Sequence, residues 1–267
     1  MLKRFHSLNF IERALKGFLI DKAAVGLLGI KAGFTLAEVL ITLGIIGVVA
    51  AMSIPTLITS VQKIRTATEL KKSFAEISVA VRLAEDEFGD VSGWTYDNKT
   101  SDAIACAALF DTYLMPFMKV SRKELLKSDL VYYTPSGTRE ASLAVLRGNS
   151  VAYTLLSGAQ MIASNNSIGT NKGSMGSIQI IIDLNGYNSK PNKFGRDAFF
   201  LFVIPTKGVR FHSINDGESF DKIKTRQELL NGPSSNSYQC NKRGRGMWCG
   251  ALIQKDGWKI SPDYPWK

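Results

Sequence analysis

Residues 31–58 read KAGFTLAEVLITLGIIGVVAAMSIPTLI, and this stretch decides how the chain folds and where it is held. No residue from Val39 to Gln62 is charged. The run exceeds the roughly 20 apolar residues that a helix needs to cross a bilayer core of about 30 Å. It is too long, and lies too far from the first residue, for an ordinary signal peptide. The stretch therefore predicts a membrane-inserted helix.

One acid, Glu38, interrupts the apolar character of this stretch. A carboxylate among lipid tails costs about 2.5–3.5 kcal/mol or more, so it normally marks a pairing or functional site. The nearest basic residues, Lys31 and Lys63, lie outside the apolar run. A cut after Gly33 would create an ammonium at Phe34, about one helical turn from Glu38. We predict that this amine, on the same or a neighbouring subunit, neutralises the acid.

The sequence G-F-T-L-x-E-V-L-I, from Gly33 to Ile41, resembles the prepilin-type cleavage and methylation signature of type IV pilins and type II secretion pseudopilins. In that family a membrane peptidase cleaves after the glycine and methylates the new terminal phenylalanine. The resemblance implies cleavage between Gly33 and Phe34 and N-methylation of Phe34. It also assigns the family's assembly glutamate to Glu38 and its helix-kinking proline to Pro55.

Residues 1–33 are predicted to be a leader that the prepilin peptidase removes, although leaders of this family are usually shorter. The leader carries six basic residues against two acidic ones, a net charge of +4: Lys3, Arg4, Arg13, Lys16, Lys22 and Lys31 against Glu12 and Asp21. Positive charge before a spanning helix keeps that end in the cytoplasm. We therefore expect a single-pass protein of the inner (cytoplasmic) membrane whose C-terminal domain lies outside the cytoplasm.

The helical pattern continues beyond the membrane run. Apolar residues recur at steps of three and four, with charged residues between them, which predicts an amphipathic helix. The apolar positions are Ile64, Ala67, Leu70, Phe74, Ile77, Val81, Ala84 and Phe88. Gly89 is a natural stop. The predicted organisation is a transmembrane and assembly helix at 34–58, an amphipathic helix at 59–89 that packs on the outer domain, and an outer globular domain at 90–267.

The sequence pattern of the outer domain predicts an α+β fold. A short helix is predicted over 103–118, and short alternating apolar runs bounded by turn residues predict strands. These runs are 130–134, 151–156, 160–163, 177–183, 198–204 and 209–211. Ser157-Gly158 and Lys207-Gly208 are typical of hairpin turns. We expect the amphipathic helix to pack on an antiparallel sheet, and the pilin resemblance implies the same fold.

The loop from Asp183 to Asp197 is rich in oxygen-bearing side chains around Gly186. Such spacing suits a hard cation such as calcium, with Asp183, Asn185 and Asp197 as candidate ligands. Asn, Asp, Gly and Pro are equally the residues of a structured turn that binds no metal. We favour the turn and keep calcium as the alternative cofactor.

Three cysteines are present, and two of them, Cys240 and Cys249, lie nine residues apart. Outside the cytoplasm a small disulfide loop is the expected state of such a pair. Cys106 lies in an apolar stretch and is predicted to be a buried thiol. Zinc is not favoured, because the two histidines, His6 and His212, are isolated in the sequence.

The same C-terminal region combines basic and aromatic residues. Lys242, Arg243 and Arg245 are followed by Trp248, Trp258, Tyr264 and Trp266. Such a set would bind a nucleic-acid strand through its phosphates and bases. The alternative, which we favour, is a solvated basic loop whose aromatic residues pack against the sheet.

No enzyme signature is present: the sequence has no H-E-x-x-H, no Walker A loop, no G-x-S-x-G and no G-x-G-x-x-G. We therefore expect a structural subunit of a type IV pilus or type II secretion pseudopilus rather than an enzyme. Its expected partners are the prepilin peptidase, further pilin-like subunits and the inner-membrane assembly platform. The alternative is a minor pilin that binds DNA, surfaces or a secreted substrate.

Overall fold

The computed structural model describes residues 34–95, 103–126, 129–140, 143, 150–164, 168–171, 174–214, 218–219, 221–234 and 236–266. The predicted leader, with Gly33, lies outside the described residues. The chain divides into two compact units, one ending at Leu57 and the other beginning at Ile58.

Helix α1, Leu36–Phe88, is a single helix of 53 residues and confirms the predicted long helix. Within the described residues it is long and apolar enough to cross a membrane. Its large apolar side chains before residue 58 are exposed, as at Leu36 (80 %) and Met52 (74 %). Pro55 lies inside the helix and supplies no N–H to the Ala51 carbonyl. The first part of α1 therefore presents apolar surface that needs lipid or protein around it.

The later part of α1 buries the stripe that its periodicity predicts. Ala67, Leu70, Ile77, Val81 and Ala84 are buried, in one hydrophobic cluster with the sheet. Two residues of the predicted apolar stripe are exposed rather than buried: Ile64 is 68 % exposed and Phe88 is 43 % exposed. The buried stripe begins at Ala67, so Ile64, one turn earlier, lies before the part of α1 that packs on the core.

The body is built on an antiparallel sheet, as predicted. Its strands are β1 (Val120–Leu126), β4 (Ser150–Leu155), β5 (Gln160–Ser164), β6 (Ile168–Asn171), β7 (Ser174–Asp183), β8 (Ala198–Ile204) and β9 (Gly208–Phe211). They lie in the order β1-β4-β5-β7-β8-β9, with β6 also paired to β7. A separate two-stranded sheet joins β2 (Tyr132–Tyr133) to β3 (Arg139–Glu140). The predicted turns at Ser157-Gly158 and Lys207-Gly208 connect β4 to β5 and β8 to β9.

Strand β8 shows how the core is layered, because all seven of its residues are buried. Successive side chains of a strand point to opposite faces of the sheet. On one face the rings of Phe200 and Phe202 contact His212. On the other face Leu201 pairs with Phe211, whose ring stacks on Phe74 of α1 at 4.8 Å. Both faces of the sheet are therefore covered here.

The remaining helices are short. α2 spans Ala103–Tyr113, α3 spans Arg226–Asn231, and α4 spans Cys249–Lys255. Helix α2 ends earlier than predicted, and a 3₁₀ turn at Met115–Phe117 follows it. Helix α4 packs closely on β9, since a Cβ atom at Gly250 would lie 2.3 Å from the Phe211 ring. Gly250 thus lets the C-terminal segment cover this edge of the sheet.

Candidate assembly terminus and sites of the body

The start of α1 is closed by a capping box. The Glu38 carboxylate accepts a hydrogen bond from the Thr35 backbone N–H at 2.9 Å. The Glu38 backbone N–H donates in turn to the Thr35 hydroxyl at 3.2 Å. Such reciprocal bonds satisfy two of the donors that a helix start leaves without partners. The sequence analysis missed this role, although T-x-x-E before an apolar run is its recognised pattern.

The capping box holds the Glu38 carboxylate at the start of α1. Phe34 is adjacent to Thr35, so cleavage before Phe34 would put an ammonium beside a carboxylate already held at the helix start. A negative charge in the first turn also interacts favourably with the helix dipole. Glu38 thus stabilises the first turn of α1, and its pairing with an ammonium at Phe34 stays a prediction.

Pro55, the other predicted assembly residue, lies within the continuous helix α1. Its neighbour Ser53 donates a side-chain hydrogen bond to the Val49 carbonyl at 2.8 Å. Hydroxyl bonds of this kind compete with the helix ladder and often accompany bends. Ser53 and Pro55 together therefore make this turn a weak point of the helical hydrogen bonding.

The three candidate calcium ligands lie in a loop whose carboxylates are already hydrogen-bonded. Asp183 accepts from the Tyr132 hydroxyl at 2.5 Å and from the Asn185 N–H at 3.2 Å. Asp197 accepts from the backbone N–H groups of Asn192 at 2.8 Å and Lys193 at 2.6 Å. All four carboxylate oxygens thus have protein donors.

Burial also changes the acidity of this pair. It raises the pKa of Asp183 to about 7, and the nearby charge of Asp197 adds to the rise. Burial likewise raises the pKa of Asp197. Within the described ranges no group of three or more His, Cys, Asp or Glu side chains is placed to hold a metal. The geometry fits the structured turn, and calcium binding stays a prediction.

Cys240 and Cys249 are joined by a disulfide bond, with their Cα atoms 4.8 Å apart. Both residues are fully buried, and Cys249 is the first residue of α4. Cys106 is a buried free thiol, and burial raises its pKa to about 12. Such a thiol has little thiolate character, which fits the inert role predicted for it.

The basic and aromatic residues of the C-terminal region do not form one exposed nucleic-acid surface, which was the less favoured interpretation of this region. Arg245 donates two hydrogen bonds to the Glu140 carboxylate, at 2.6 and 3.0 Å. Trp248 is fully buried and donates to the Ile214 carbonyl, and Tyr264 and Trp266 are also buried. Lys242 and Arg243 are exposed. This arrangement fits the alternative in which the aromatic residues pack against the body.

His212 lies in a ring-lined site that the sequence analysis did not identify. Its ring lies 5.1 Å from the Phe202 ring and 4.6 Å from the Tyr238 ring, measured between centroids. Its Nδ1 atom is buried and has no hydrogen-bond partner among the described residues. Burial lowers the pKa of His212 to about 3, and the positive charge of Arg245 contributes to the shift. His212 is therefore a neutral member of the core.

Comparison with known families gives two matches, one to the N-terminal helix region and one to the rest of the chain. Residues 29–54 match the prokaryotic N-terminal methylation motif. Residues 56–267 match a family of unknown function, DUF6613. Comparison with curated proteins and with solved structures gives no match.

The methylation motif, the long apolar helix and the antiparallel sheet define a type IV pilin-like protein, as its sequence predicted. The motif indicates a pilin or pseudopilin precursor that is anchored in a membrane. Over most of its length the chain belongs to the family of unknown function DUF6613.

Proposed function

We propose that this protein is a structural subunit of a type IV pilus or type II secretion pseudopilus. The prepilin peptidase removes residues 1–33, cleaving at Gly33 and methylating Phe34. The inner membrane then holds the subunit through 34–58, with 59–89 packed on the domain at 90–267 and that domain outside the cytoplasm. An assembly platform in the inner membrane inserts it into a filament with other pilin-like subunits.

The observation that carries this proposal is the exposed apolar surface of α1 with a single acid at its start. Apolar side chains such as Leu40, Ile46 and Leu57 are each at least 60 % exposed. Lipid covers such a surface before assembly, and neighbouring helices cover it in a filament. The motif at residues 29–54 belongs to structural proteins of the pilin type, which supports assembly rather than catalysis.

Glu38 would set the axial register of the filament. A buried carboxylate is strongly destabilising without a cation, so a stagger that brings it to a Phe34 ammonium is favoured over other staggers. Register setting by a buried polar group is a well-attested role. The capping box gives Glu38 a second role within its own helix, and the two roles predict different mutational results.

The test compares Glu38→Gln with Thr35→Ala in cells of the native host. Glutamine retains an acceptor for the Thr35 N–H, since capping boxes use Glu or Gln, but it carries no charge. Thr35→Ala keeps the charge and removes one capping bond, at a cost of about 1 kcal/mol. We expect Glu38→Gln to lose most of the sheared filament fraction and Thr35→Ala to keep most of it.

Mass spectrometry of the N-terminal peptide is the control for processing. Both variants should begin at Phe34 with one added methyl group, which separates assembly from cleavage. A normal filament yield from Glu38→Gln would show that charge pairing does not drive assembly. A chain that keeps residues 1–33 in a host with an active peptidase would contradict the prepilin route itself.

A further inference from the structure

Two clefts of the second unit have residues 59–69 of α1 in their lining. The first, of about 470 Å³, lies between residues 62–69 of α1 and the loop joining β7 to β8. The second, of about 880 Å³, lies between Thr59 and Lys63 of α1 and the C-terminal loop. Trp266 lines both clefts. The two clefts therefore adjoin at Trp266, beside the first turns of α1 in the second unit, and are treated together as one surface.

This surface is rich in positive charge. Its basic residues are Lys63, Arg65, Lys190, Arg196, Lys242 and Arg243. We call Lys63, Lys190, Arg196, Lys242 and Arg243 the basic boundary cluster; Arg65 is set apart because it pairs with Glu69 at 2.7 Å. The Arg196 guanidinium lies over the Trp266 ring, 5.4 Å from its centroid. Lys190, Lys242 and Arg243 are exposed, with no side-chain ion pair among the residues that the structure describes.

The acidic residues of the two clefts are already engaged. Glu69 pairs with Arg65. Asp197 is 6 % exposed and accepts from backbone N–H groups. Asp263 accepts two hydrogen bonds from the Arg226 guanidinium, at 2.7 and 2.8 Å. The positive charge of the boundary cluster is therefore left to interact with a partner outside the body.

The position of the cluster along α1 indicates what that partner is. The uncharged run of the helix ends at Gln62, so the turns that follow emerge from the bilayer core at the level of the lipid headgroups. Thr59, Gln62 and Lys63 line the same clefts as the basic loops. Charges near a surface interact with it within a Debye length, about 8 Å at physiological salt. Basic residues beside a membrane bind anionic lipids.

We propose that the basic boundary cluster binds the anionic phospholipid headgroups of the membrane that holds α1. The contact holds the body against the bilayer surface while the subunit waits in the membrane. It is released when the subunit leaves the bilayer. This inference rests on the membrane anchor and not on the filament proposed above.

The test uses the full chain in nanodiscs of phosphatidylcholine, with or without phosphatidylglycerol, followed by hydrogen exchange and mass spectrometry. The informative peptides cover residues 187–191 and 240–244. We expect their exchange to slow by about tenfold in the anionic discs, because each basic residue near an anionic surface adds to binding. High salt should remove the difference.

Two triple variants make the result specific. Lys190→Glu/Lys242→Glu/Arg243→Glu should abolish the lipid-dependent slowing. Arg82→Glu/Arg210→Glu/Lys255→Glu changes the same charge at exposed residues outside the two clefts and should leave it intact. A neutral variant, Lys190→Gln/Lys242→Gln/Arg243→Gln, tests the same loss without introducing repulsion.

Equal exchange in both kinds of disc would overturn the proposal, as would equal loss in the control variant. Slowing of the same peptides by a short single-stranded DNA in phosphatidylcholine discs, without any effect of phosphatidylglycerol, would assign the surface to nucleic acid instead. Filament yield reports separately on assembly, so failure of one proposal is distinguishable from failure of the other.

Discussion

His212 and Asp183 are buried titratable side chains whose pKa values move in opposite directions. Burial lowers the pKa of His212 from 6.5 to about 3 and raises that of Asp183 from 3.8 to about 7. As pH falls below 6.5, unfolded His212 gains a proton that the folded state does not bind, so stability falls. As pH falls below 7, folded Asp183 gains a proton before the unfolded chain does, so stability rises. Between 3.8 and 6.5 the two effects oppose each other.

Replacing His212 by phenylalanine should reveal the opposing effect of Asp183. Phenylalanine suits a site that Phe200, Phe202 and Tyr238 already line. Relative to the wild type, the free energy of unfolding of the variant should rise by about 1.4 kcal/mol for each unit that the pH falls between 6.5 and 3. Urea unfolding in detergent, followed by tryptophan fluorescence, measures this difference. Parallel pH profiles for the two proteins would show that folding does not lower the pKa of His212.

Replacing Asp183 by asparagine should change the pH profile in the opposite sense. Asparagine is neutral at every pH and retains one acceptor for the Tyr132 hydroxyl. The contribution of Asp183 to wild-type stability should fall by about 1.4 kcal/mol per unit as pH rises from 3.8 to 7, and the variant lacks this contribution. The stability deficit of Asp183→Asn should therefore shrink toward neutral pH. A deficit that grows toward neutral pH would mean that Asp183 is ionised in the folded protein.

At the scale of elements, the ion pair between Glu140 and Arg245 links strand β3 to the loop closed by the Cys240–Cys249 disulfide. The Glu140 side chain is 4 % exposed and that of Arg245 is 19 % exposed. Arg245 also lies over the Tyr238 ring, 5.1 Å from its centroid. Removing one partner of a buried pair leaves a buried charge without compensation.

Glu140→Ala should therefore lower the free energy of unfolding by about 3 kcal/mol. Arg243→Ala, two residues from Arg245 but exposed, should change it by less than about 0.5 kcal/mol. The double variant Glu140→Leu/Arg245→Met should be less destabilised than Glu140→Ala, because it leaves no charge behind. Urea unfolding compares the three, and a loss from Glu140→Ala as small as that from Arg243→Ala would contradict the buried pair.

Elements with a strong period were readable from the sequence, and weakly patterned ones were not. Helix α1 and strand β8 were predicted nearly to the residue because apolar residues recur along them. Strand β1 was missed because it is a largely exposed edge strand with the charged residues Arg122, Lys123 and Glu124. Helices α3 and α4, of six and seven residues, are too short for their period to be recognised.

The same reasoning applies to the sites. Glu38 could be singled out as a candidate because a single acid next to an apolar run is recognisable from the sequence without the structure. The ion pair of Arg245 with Glu140 was not, because the two residues are 105 positions apart. The contact between Tyr132 and Asp183 spans 51 positions. Only the folded sheet brings such partners together.

At the scale of the whole molecule, membrane insertion depends on the uncharged part of α1. Ile45 and Val49 lie one turn apart, and each is 60 % exposed. Ile45→Arg/Val49→Arg should cost about 5–7 kcal/mol of insertion free energy, at about 2.5–3.5 kcal/mol for each arginine. Carbonate extraction of membranes should find this variant released and Ile45→Leu/Val49→Leu retained. Retention of the arginine variant would argue against a spanning helix.

The two outer edges of the sheet limit how copies of this protein can associate. Edge strands with open hydrogen-bonding groups invite neighbouring chains to add a strand, which leads to aggregation. Strand β1 carries charged side chains at one edge, and α4 with its disulfide covers β9 at the other. Subunits at high concentration in a membrane would therefore be less prone to pair with one another through these two strands. The exposed apolar side chains of α1 are then the surface through which the proposed filament contacts would form.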